Sequence, residues 1–163
     1  MKRVLLGEEA LRRWGEVVGR QVRAPVFLGL RGPLGAGKSV LARAIARGAG
    51  VRGNLPSLTF NLLFRYPSAR DGDVVHLDLY RVSDPEEVWE LGWEELVREG
   101  GGDLVLVEWP ERAEPHLPAD RWEVRLEPVV GDPLLRRVGV TRVGTPPPLP
   151  PFPLTVDRGG GAS

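Results

Sequence analysis

A glycine-rich stretch, Gly32-Pro-Leu-Gly-Ala-Gly-Lys-Ser39, contains the residues of this chain that are best suited to chemistry. Its spacing, G-x-x-x-x-G-K-S, is typical of a loop that binds phosphate through backbone N–H groups, a lysine and a Mg²⁺-binding hydroxyl. A dinucleotide-binding G-x-G-x-x-G motif does not fit, because a valine stands where the third glycine would be. We therefore predict that Ser39 binds Mg²⁺ and that ATP is contacted by Gly35, Ala36, Gly37, Lys38, Ser39 and Val40.

Lys38 stands out in the composition. Only two of the 22 lysine and arginine residues are lysines, and the other, Lys2, lies in an N-terminal segment that we expect to be frayed. A compact ammonium fits beside the β- and γ-phosphates, whereas the wider, planar guanidinium does not. This size limit explains why an arginine-rich chain keeps a lysine at this position, and it supports Lys38 as a catalytic residue.

The segments around the loop predict the elements that position it. Residues 26–30 form an apolar run that is typical of a buried strand. After the loop, helical spacing of apolar residues predicts a helix containing Val40, Leu41, Ala44, Ile45 and Ala49. This order places the backbone N–H groups of residues 35–39 at a helix N-terminus, which favours anions.

Two carboxylates are the best candidates to complete the site. Glu108 directly follows the apolar run 104–107, which predicts a central parallel strand that is buried on both faces. A carboxylate at the end of such a strand either is solvated or meets a cation, so we predict that Glu108 binds Mg²⁺ together with Ser39. Asp78 also ends an apolar run, and we predict that it is catalytic, either ordering the attacking water or holding Mg²⁺ through water.

Three further residues leave alternatives open. His76 shares the predicted strand face with Asp78, but it is at least as easily a core or edge histidine with satisfied hydrogen bonds. Thr59 follows the helix of the loop, where a hydroxyl can sense the γ-phosphate, yet it is equally a β-branched strand residue. Trp109 either packs in the core or forms a lid over the site.

The patterns elsewhere predict an α/β arrangement. We expect a helix over 8–22 and an antiparallel hairpin formed by 58–66 and 74–78. An S-x-x-E capping box over 83–86 predicts the start of a helix, which Gly92 divides into two.

The C-terminal part changes in composition. Alternating apolar and charged residues predict strands over 121–127 and 134–143, so the predicted domain that contains the phosphate-binding loop spans residues 1–143. Residues 144–163 are rich in proline and glycine, and we expect a disordered or polyproline-like tail.

The composition narrows the class of protein. A chain of 163 residues is long enough for one domain with a single core. Basic and acidic residues are equal at 22, so no general basic field draws the chain to nucleic acid or to membranes. The absence of cysteine excludes disulfides and thiolate metal sites. With no apolar run of transmembrane length and no signal-peptide core, we expect a cytoplasmic protein without membrane contact.

Four motifs, taken in order, resemble the TsaE (YjeE) family, small bacterial ATPases of tRNA threonylcarbamoyladenosine synthesis. They are Leu34-Gly-Ala-Gly-Lys-Ser39, Ser57-Leu-Thr-Phe60, His76-Leu-Asp-Leu-Tyr-Arg81 and Glu108-Trp-Pro110, and the resemblance covers roughly residues 5–128. Two positions depart from the family's pattern. Leu58 replaces a proline, and Ser39 replaces the commoner threonine while keeping the hydroxyl.

The resemblance implies a three-layer α/β sandwich around a mixed sheet, parallel at the strands of the loop and of Glu108 and antiparallel in the hairpins. It implies an ATPase that works while docked on a transferase subunit and its scaffold paralogue, which modify the adenosine next to the tRNA anticodon. The chain would meet tRNA only through these partners. By position, Ser39 and Glu108 would hold Mg²⁺ and Lys38 the phosphates. Asp78 would support hydrolysis, and Thr59 would belong to a switch loop.

The residues alone leave two other functions open. A small phosphotransferase acting on a nucleoside or a sugar would use the same loop, although the acidic segment 86–99 is unlike the arginine-rich lid of such kinases. A nucleotide-gated interaction module would bind without hydrolysis, and the two carboxylates count against it. No arginine beside a site motif makes a convincing arginine finger, so we expect partners to stimulate the ATPase. Trp89 and Trp93, which lie beside acidic pairs, are the candidates for docking these partners, although one of them is at least as easily a core residue.

Overall fold

The computed structural model describes residues 2–55, 62–70, 72–98 and 102–152. Within these ranges the chain forms the strands β1 (Lys2–Gly7), β2 (Val26–Arg31), β3 (Leu63–Pro67), β4 (Asp73–Asp78), β5 (Leu104–Glu108), β6 (Arg121–Val129) and β7 (Asp132–Val143). The same ranges contain the helices α1 (Glu8–Gln21), α2 (Lys38–Gly48) and α3 (Trp93–Val97), and 3₁₀ helices over Pro85–Leu91 and Pro110–His116. None of these helices is long and apolar enough to cross a membrane.

The described strands form one mixed sheet in the order β1-β7-β6-β2-β5-β4-β3. The central strands β6, β2, β5 and β4 run parallel, whereas β1, β7 and β3 pair antiparallel with their neighbours. Parallel strands end at the same edge of a sheet, so the segments that follow β2, β4 and β5 meet there. The prediction of a sheet that is parallel at β2 and β5 and antiparallel in the hairpins is confirmed.

Alternation along the strands divides the core into two layers. In β2, Leu28 and Leu30 face α1 and α2, while Phe27 faces the opposite side. There Phe27 packs edge-on against Trp93 of α3, with the ring centroids 5.7 Å apart. Trp93 is fully buried, so core packing, the alternative left open for one of the two tryptophans, is its role, and Trp89 stays the docking candidate. With helices on both faces of the sheet, the predicted three-layer α/β sandwich is confirmed.

Helices α1 and α2 pack closely because two glycines meet a neighbouring backbone. A Cβ on Gly19 of α1 would overlap the carbonyl oxygen of Ile45, and one on Gly48 of α2 would overlap that of Glu16. Any larger residue would force the helices apart. The close packing fixes the position of α2, which begins at Lys38.

The N-terminal segment is a strand, so the expectation that it is frayed is wrong. Residues 2–7 form β1, which pairs antiparallel with β7 from Lys2 opposite Val140 to Gly7 opposite Leu135. The strand buries Leu6 in the core. Sequence patterns missed it because its neighbour among the described strands is β7, which lies far away in the sequence.

The predicted capping box is shifted by one residue. Asp84, rather than Ser83, is the N-cap, and its carboxylate accepts a hydrogen bond of 3.0 Å from the N–H of Glu86. Glu87 completes the box by accepting the N–H of Asp84 at 3.3 Å. The segment is a 3₁₀ helix, and it ends at Gly92, where the division into two helices was predicted.

The antiparallel hairpin is confirmed over the described residues. Strands β3 and β4 pair from Leu63 opposite Leu77 to Pro67 opposite Asp73. The first part of the predicted strand, residues 58–61, lies outside the described residues, and Thr59 lies there with it.

Part of the proline-rich segment, residues 145–152, lies along the domain, and we call it the proline strap. The indole of Trp122 donates a hydrogen bond of 2.7 Å to the carbonyl oxygen of Pro147. The indole of Trp14 donates one of 3.3 Å to that of Pro150. The predicted domain boundary and the predicted disorder of the rest of the tail stay predictions.

Candidate functional site

The glycine loop, residues 32–37, connects β2 to α2 at the carboxyl edge of the parallel strands. Gly32 has φ 147°, and a Cβ there would overlap the carbonyl oxygen of Leu126, so the start of the loop requires glycine. Gly37, with φ 106°, is the N-cap of α2. The first N–H groups of a helix have no partner within it, so this end of α2 favours an anion.

Ser39 and Glu108 lie side by side at this edge. The Ser39 hydroxyl donates a hydrogen bond of 2.8 Å to Glu108 Oε1. The strand register explains the contact, because Glu108 ends β5 opposite Leu30 of β2, close to the start of the loop. Glu108 is only 3% exposed, so its carboxylate depends on partners inside the protein.

The second carboxylate oxygen of Glu108 contacts His76, whose role the sequence left open. His76 Nε2 lies 2.7 Å from Glu108 Oε2, and both side chains are buried. His76 is thus a buried histidine with a satisfied hydrogen bond, and it also fixes the orientation of Glu108. The carboxylate is held at both oxygens, by an imidazole and by a hydroxyl.

Lys38 is only 4% exposed although it begins α2. Its Nζ donates hydrogen bonds of 2.6 and 2.8 Å to the carbonyl oxygens of Gly32 and Pro33. Burial lowers the pKa of the Lys38 ammonium, and the negative charge of Glu108 opposes this effect. A further anion beside the ammonium would favour its charged form.

Asp78 ends β4 next to Glu108, its register partner on β5. Asp78 Oδ1 accepts a hydrogen bond of 2.9 Å from the N–H of Tyr80. Burial raises the pKa of the Asp78 carboxyl despite that hydrogen bond, and the charge of Glu108 raises it further. A carboxylate with a raised pKa is suited to ordering water or accepting a proton from it.

These side chains border one cavity of about 240 Å³, lined by Leu34, Gly35, Gly37, Lys38, Ser39, Val40, Asp78, Tyr80, Glu108 and Trp109. The structure thus brings together the predicted residues of the glycine loop, β4 and β5. Ala36 does not line this cavity: its side chain is buried in the core, and its N–H donates within the loop to the Pro33 carbonyl oxygen at 3.2 Å. Thr59 lies outside the described residues.

Trp109 forms one wall of the cavity. Its backbone is in the left-handed region, at φ 58°, and turns the chain sharply after β5. Its ring centroid lies 4.5 Å from Lys38 Nζ and 5.0 Å from the ring centroid of Tyr80. The same side chain packs partly against the core on the α3 face. Trp109 therefore belongs both to the core and to the site.

Two arginines that the sequence did not single out hold the glycine loop. Arg31, the residue before the loop, forms an ion pair of 3.0 Å with Glu123 of β6. Arg136 of β7 donates hydrogen bonds of 3.0 Å to the Ala36 carbonyl oxygen and 3.3 Å to that of Gly35. Arg31 and Glu123 are 92 residues apart in the sequence, and Arg136 and Ala36 are 100 residues apart. No local sequence pattern can therefore indicate these contacts.

The side-chain oxygens beside the cavity can be compared with the coordination geometry of Mg²⁺. The described residues contain no group of three or more histidine, aspartate or glutamate side chains that could hold a metal ion by themselves. In nucleotide sites, Mg²⁺ takes one or two protein oxygens and completes an octahedron with phosphate oxygens and water. Neighbouring oxygens of that octahedron lie about 3 Å apart. Ser39 Oγ and Glu108 Oε1, 2.8 Å apart, fit this geometry.

Known proteins resemble the chain over most of its length. The family model described as threonylcarbamoyl adenosine biosynthesis protein TsaE matches residues 5–132. The tRNA threonylcarbamoyladenosine biosynthesis protein TsaE of Streptomyces coelicolor is 36% identical over 138 residues, which cover 82% of this chain and 91% of that protein. The protein of the same name from Rickettsia felis is 36% identical over 125 residues, which cover 76% of this chain and 71% of that protein.

A solved structure shows the same fold. The crystal structure of the Bacillus protein YdiB superimposes with a TM-score of 0.64 and 24% identity, and covers 88% of this chain and 87% of that chain. The segment 5–132 that the family model matches contains the glycine loop, Asp78 and Glu108. The chain therefore belongs to the TsaE family, whose role is in tRNA threonylcarbamoyladenosine biosynthesis.

Proposed function

We propose that this protein binds ATP with Mg²⁺ and hydrolyses it, as the ATPase subunit of a complex that threonylcarbamoylates the tRNA adenosine next to the anticodon. The convergence of Lys38, Ser39, Asp78 and Glu108 on one cavity supports this most strongly. A cation, a hydroxyl and two carboxylates are the groups that phosphoryl transfer to water requires. Membership of the TsaE family supports the link to tRNA modification.

Ser39 and Glu108 would hold Mg²⁺ through one oxygen each. His76 would keep the Glu108 carboxylate in place while the Ser39 hydroxyl turns its proton away, so that Ser39 Oγ and Glu108 Oε1 both face the cation. When bound, Mg²⁺ would neutralise charge that develops on the phosphate oxygens.

Lys38 would hold the phosphates by exchanging two backbone contacts for phosphate oxygens. Its ammonium now bonds to the carbonyl oxygens of Gly32 and Pro33, which are neutral acceptors. A phosphate oxygen carries negative charge and a carbonyl oxygen does not, so the ammonium gains an attraction between opposite charges and the exchange favours nucleotide binding. The negative phosphates would also offset the effect of burial, which lowers the pKa of the ammonium.

Asp78 would act on the attacking water. Its carboxylate lies at the end of β4 beside the cavity, and Oδ1 is fixed by the N–H of Tyr80. Because burial raises the pKa of this carboxyl, it accepts a proton more readily than an exposed aspartate. Asp78 would therefore order the water and ease the loss of its proton.

The transferase subunit and its scaffold paralogue would complete the site. No arginine of the described chain lines the cavity. An arginine finger speeds phosphoryl transfer by about 10³–10⁵ in related P-loop enzymes, so a site without one hydrolyses ATP slowly. The partners would supply this cation or close the cavity, and tRNA would be met only through them.

Trp89 is the remaining aromatic candidate for docking on these partners. It is 44% exposed, and its indole donates a hydrogen bond of 3.1 Å to Glu86. Its ring packs on His116, with the centroids 4.7 Å apart. An exposed aromatic side chain that is held in place and has a charged rim suits the centre of an interface.

Steady-state phosphate release tests the proposal. We expect slow release by the full chain alone and a rise of about 10³-fold with the transferase–scaffold pair, if that pair supplies an arginine. Trp89→Ala should weaken the response to the pair without changing the rate of the chain alone. Equal rates with and without saturating partners would reject partner stimulation.

The same assay separates hydrolysis from phosphotransfer. Radiolabelled γ-phosphate should appear as inorganic phosphate when a panel of nucleosides and sugars is present. Transfer to any of these acceptors instead of water would support a small kinase. Binding of ATP without release of phosphate, even with partners, would support a nucleotide-gated interaction module.

A further inference from the structure

We propose that Arg136 is a positioning residue for phosphate binding, which fixes the peptide planes around Ala36 so that the N–H of Gly37 faces the phosphates. The inference rests on the proposed nucleotide function and goes beyond it by naming a residue outside the family's motifs. Arg136 lies in β7, beyond the segment 5–132 that the family model matches.

Within the described residues, the hydrogen bonds of the Arg136 guanidinium go to backbone carbonyl oxygens. Nε donates to Ala36 at 3.0 Å, and Nη2 donates to Gly35 at 3.3 Å. Nη1 donates to Pro133 at 2.9 Å and to Leu135 at 3.0 Å. One side chain thus ties two successive carbonyls of the glycine loop to the hairpin formed by β6 and β7.

These contacts also determine where loop N–H groups point. In a planar trans peptide, a C=O and the N–H of the next residue point in opposite directions. Because Arg136 holds the Ala36 carbonyl toward β7, the N–H of Gly37 points away from β7. Arg136 does not line the cavity that contains Lys38 and Ser39. The Gly37 N–H is therefore directed away from the arginine and is available to a phosphate.

The loop is flexible without these hydrogen bonds because a glycine stands on each side of Ala36. Gly35 and Gly37 have φ values of 76° and 106°, in a region that glycine reaches easily and leaves as easily. A rigid planar guanidinium can hold two successive carbonyls at once. Because these hydrogen bonds already restrict the loop, it loses less conformational entropy when it binds phosphate than an unrestrained loop would.

Arg137 allows this geometric role to be separated from a general effect of positive charge. It follows Arg136 directly in β7, but its side chain faces the other side of the sheet, as successive strand residues do. It is 49% exposed and lies 4.0 Å from Glu127. Arg137→Gln therefore removes the same charge from nearly the same place without touching the loop.

The test measures binding of ATP and of inorganic tripolyphosphate to the full chain. Arg136→Gln should weaken both about tenfold, the effect of losing one hydrogen bond to a charged group, while Arg137→Gln should change neither. Arg136→Lys should not restore the affinity, because a single ammonium lacks the planar fork that holds successive carbonyls. In hydrolysis assays with partners, the Arg136 variants should raise KM and leave kcat unchanged.

The free energy of unfolding of each variant is measured without nucleotide, which separates a loss of phosphate binding from a loss of folding. Normal affinity in a folded Arg136→Gln protein would overturn the proposal, and so would full rescue by Arg136→Lys, which would leave only a charge effect. If Arg136→Gln does not fold, Arg136→Lys decides, since normal affinity in that variant overturns the proposal. Failure of the wild-type chain to bind either ligand would instead reject the proposed function.

Discussion

His76 Nε2 and Glu108 Oε2 lie 2.7 Å apart between neighbouring parallel strands, and less than a tenth of either side chain is exposed. Glu108 uses its other oxygen to accept the Ser39 hydroxyl at 2.8 Å. A carboxylate that is held at both oxygens has one orientation, so its position is set before a cation arrives. His76 therefore matters to the proposed Mg²⁺ site although it would not touch the ion.

Replacing His76 by phenylalanine would remove this hold while filling a similar volume. We expect Mg²⁺ affinity to fall about 10–100-fold, as is usual when the partner of a metal ligand is lost. Titration of Mg²⁺ into the protein with nucleotide measures the change. His116→Phe is the matched control, because this second histidine pairs with Glu86 near the surface. Unchanged Mg²⁺ affinity in folded His76→Phe would show that Ser39 alone orients Glu108.

Lys38→Arg preserves the positive charge and tests whether the site accepts a cation larger than an ammonium. The ammonium lies between two loop carbonyls and 4.5 Å from the ring centroid of Trp109, where a wider guanidinium does not fit. We expect ATP affinity to fall about tenfold or more. Lys2→Arg, at the only other lysine, should bind a fluorescent ATP analogue normally. Near-normal affinity in Lys38→Arg would remove the size argument for the retained lysine.

Alanine variants of the two carboxylates should separate their roles. Glu108→Ala should mainly weaken the dependence on Mg²⁺, because it removes a proposed ligand. Asp78→Ala should leave nucleotide binding intact and lower hydrolysis about 10²–10⁴-fold, the usual effect of losing a group that acts on the attacking water. Binding and phosphate release are measured on both variants with partners present. A wild-type rate in Asp78→Ala would show that its assignment is wrong.

Asp78→Asn tests the raised pKa of the Asp78 carboxyl through stability. Since burial raises this pKa in the folded protein above its unfolded value, ionisation of Asp78 destabilises the fold. The effect is absent below the unfolded pKa of about 4 and is complete above the folded pKa. Asparagine keeps an acceptor for the N–H of Tyr80. Urea unfolding should therefore show the variant gaining stability relative to wild type as the pH rises above about 4. A difference that does not change with pH would contradict the raised pKa.

Trp122→Phe tests whether the proline strap stabilises the domain. The substitution removes the indole hydrogen bond of 2.7 Å to Pro147 and should lower the free energy of unfolding by about 1 kcal/mol. Trp89→Phe is the control, because its indole bonds to the exposed Glu86. Equal losses in the two variants, measured by urea unfolding, would show that the strap contributes no more than a surface contact.

Sequence patterns predicted the features that depend on local spacing. The strand, glycine loop and helix around Lys38 are encoded in consecutive residues, and so is the buried strand that ends at Glu108. The register of parallel strands then places Asp78 and Glu108 side by side without any further signal. The mixed three-layer sandwich was predicted through the resemblance to the family.

The features that the sequence missed depend on pairing between distant segments. The sequence of β1 is too short to show a clear alternation of apolar and polar residues, and the strand is stabilised by its pairing with β7. Arg136 acts through backbone carbonyls, which carry no residue-type pattern at all. The contact between His76 and Glu108 joins two strands, so alternation within one strand could show only that His76 lies on the same face as Asp78.

Lys2 and Phe152 line one cavity of about 370 Å³ together with Trp14. Because β1 runs in the same direction as β2, Lys2 lies at the amino edge of the sheet, whereas Ser39 and Glu108 lie at the carboxyl edge. An affinity tag or a fluorescent label near Lys2 would therefore be separated from the cavity of Lys38 by the length of the strands. If the protein were immobilised on a sensor surface through a group near Lys2, the carboxyl edge of its sheet would face partners in solution.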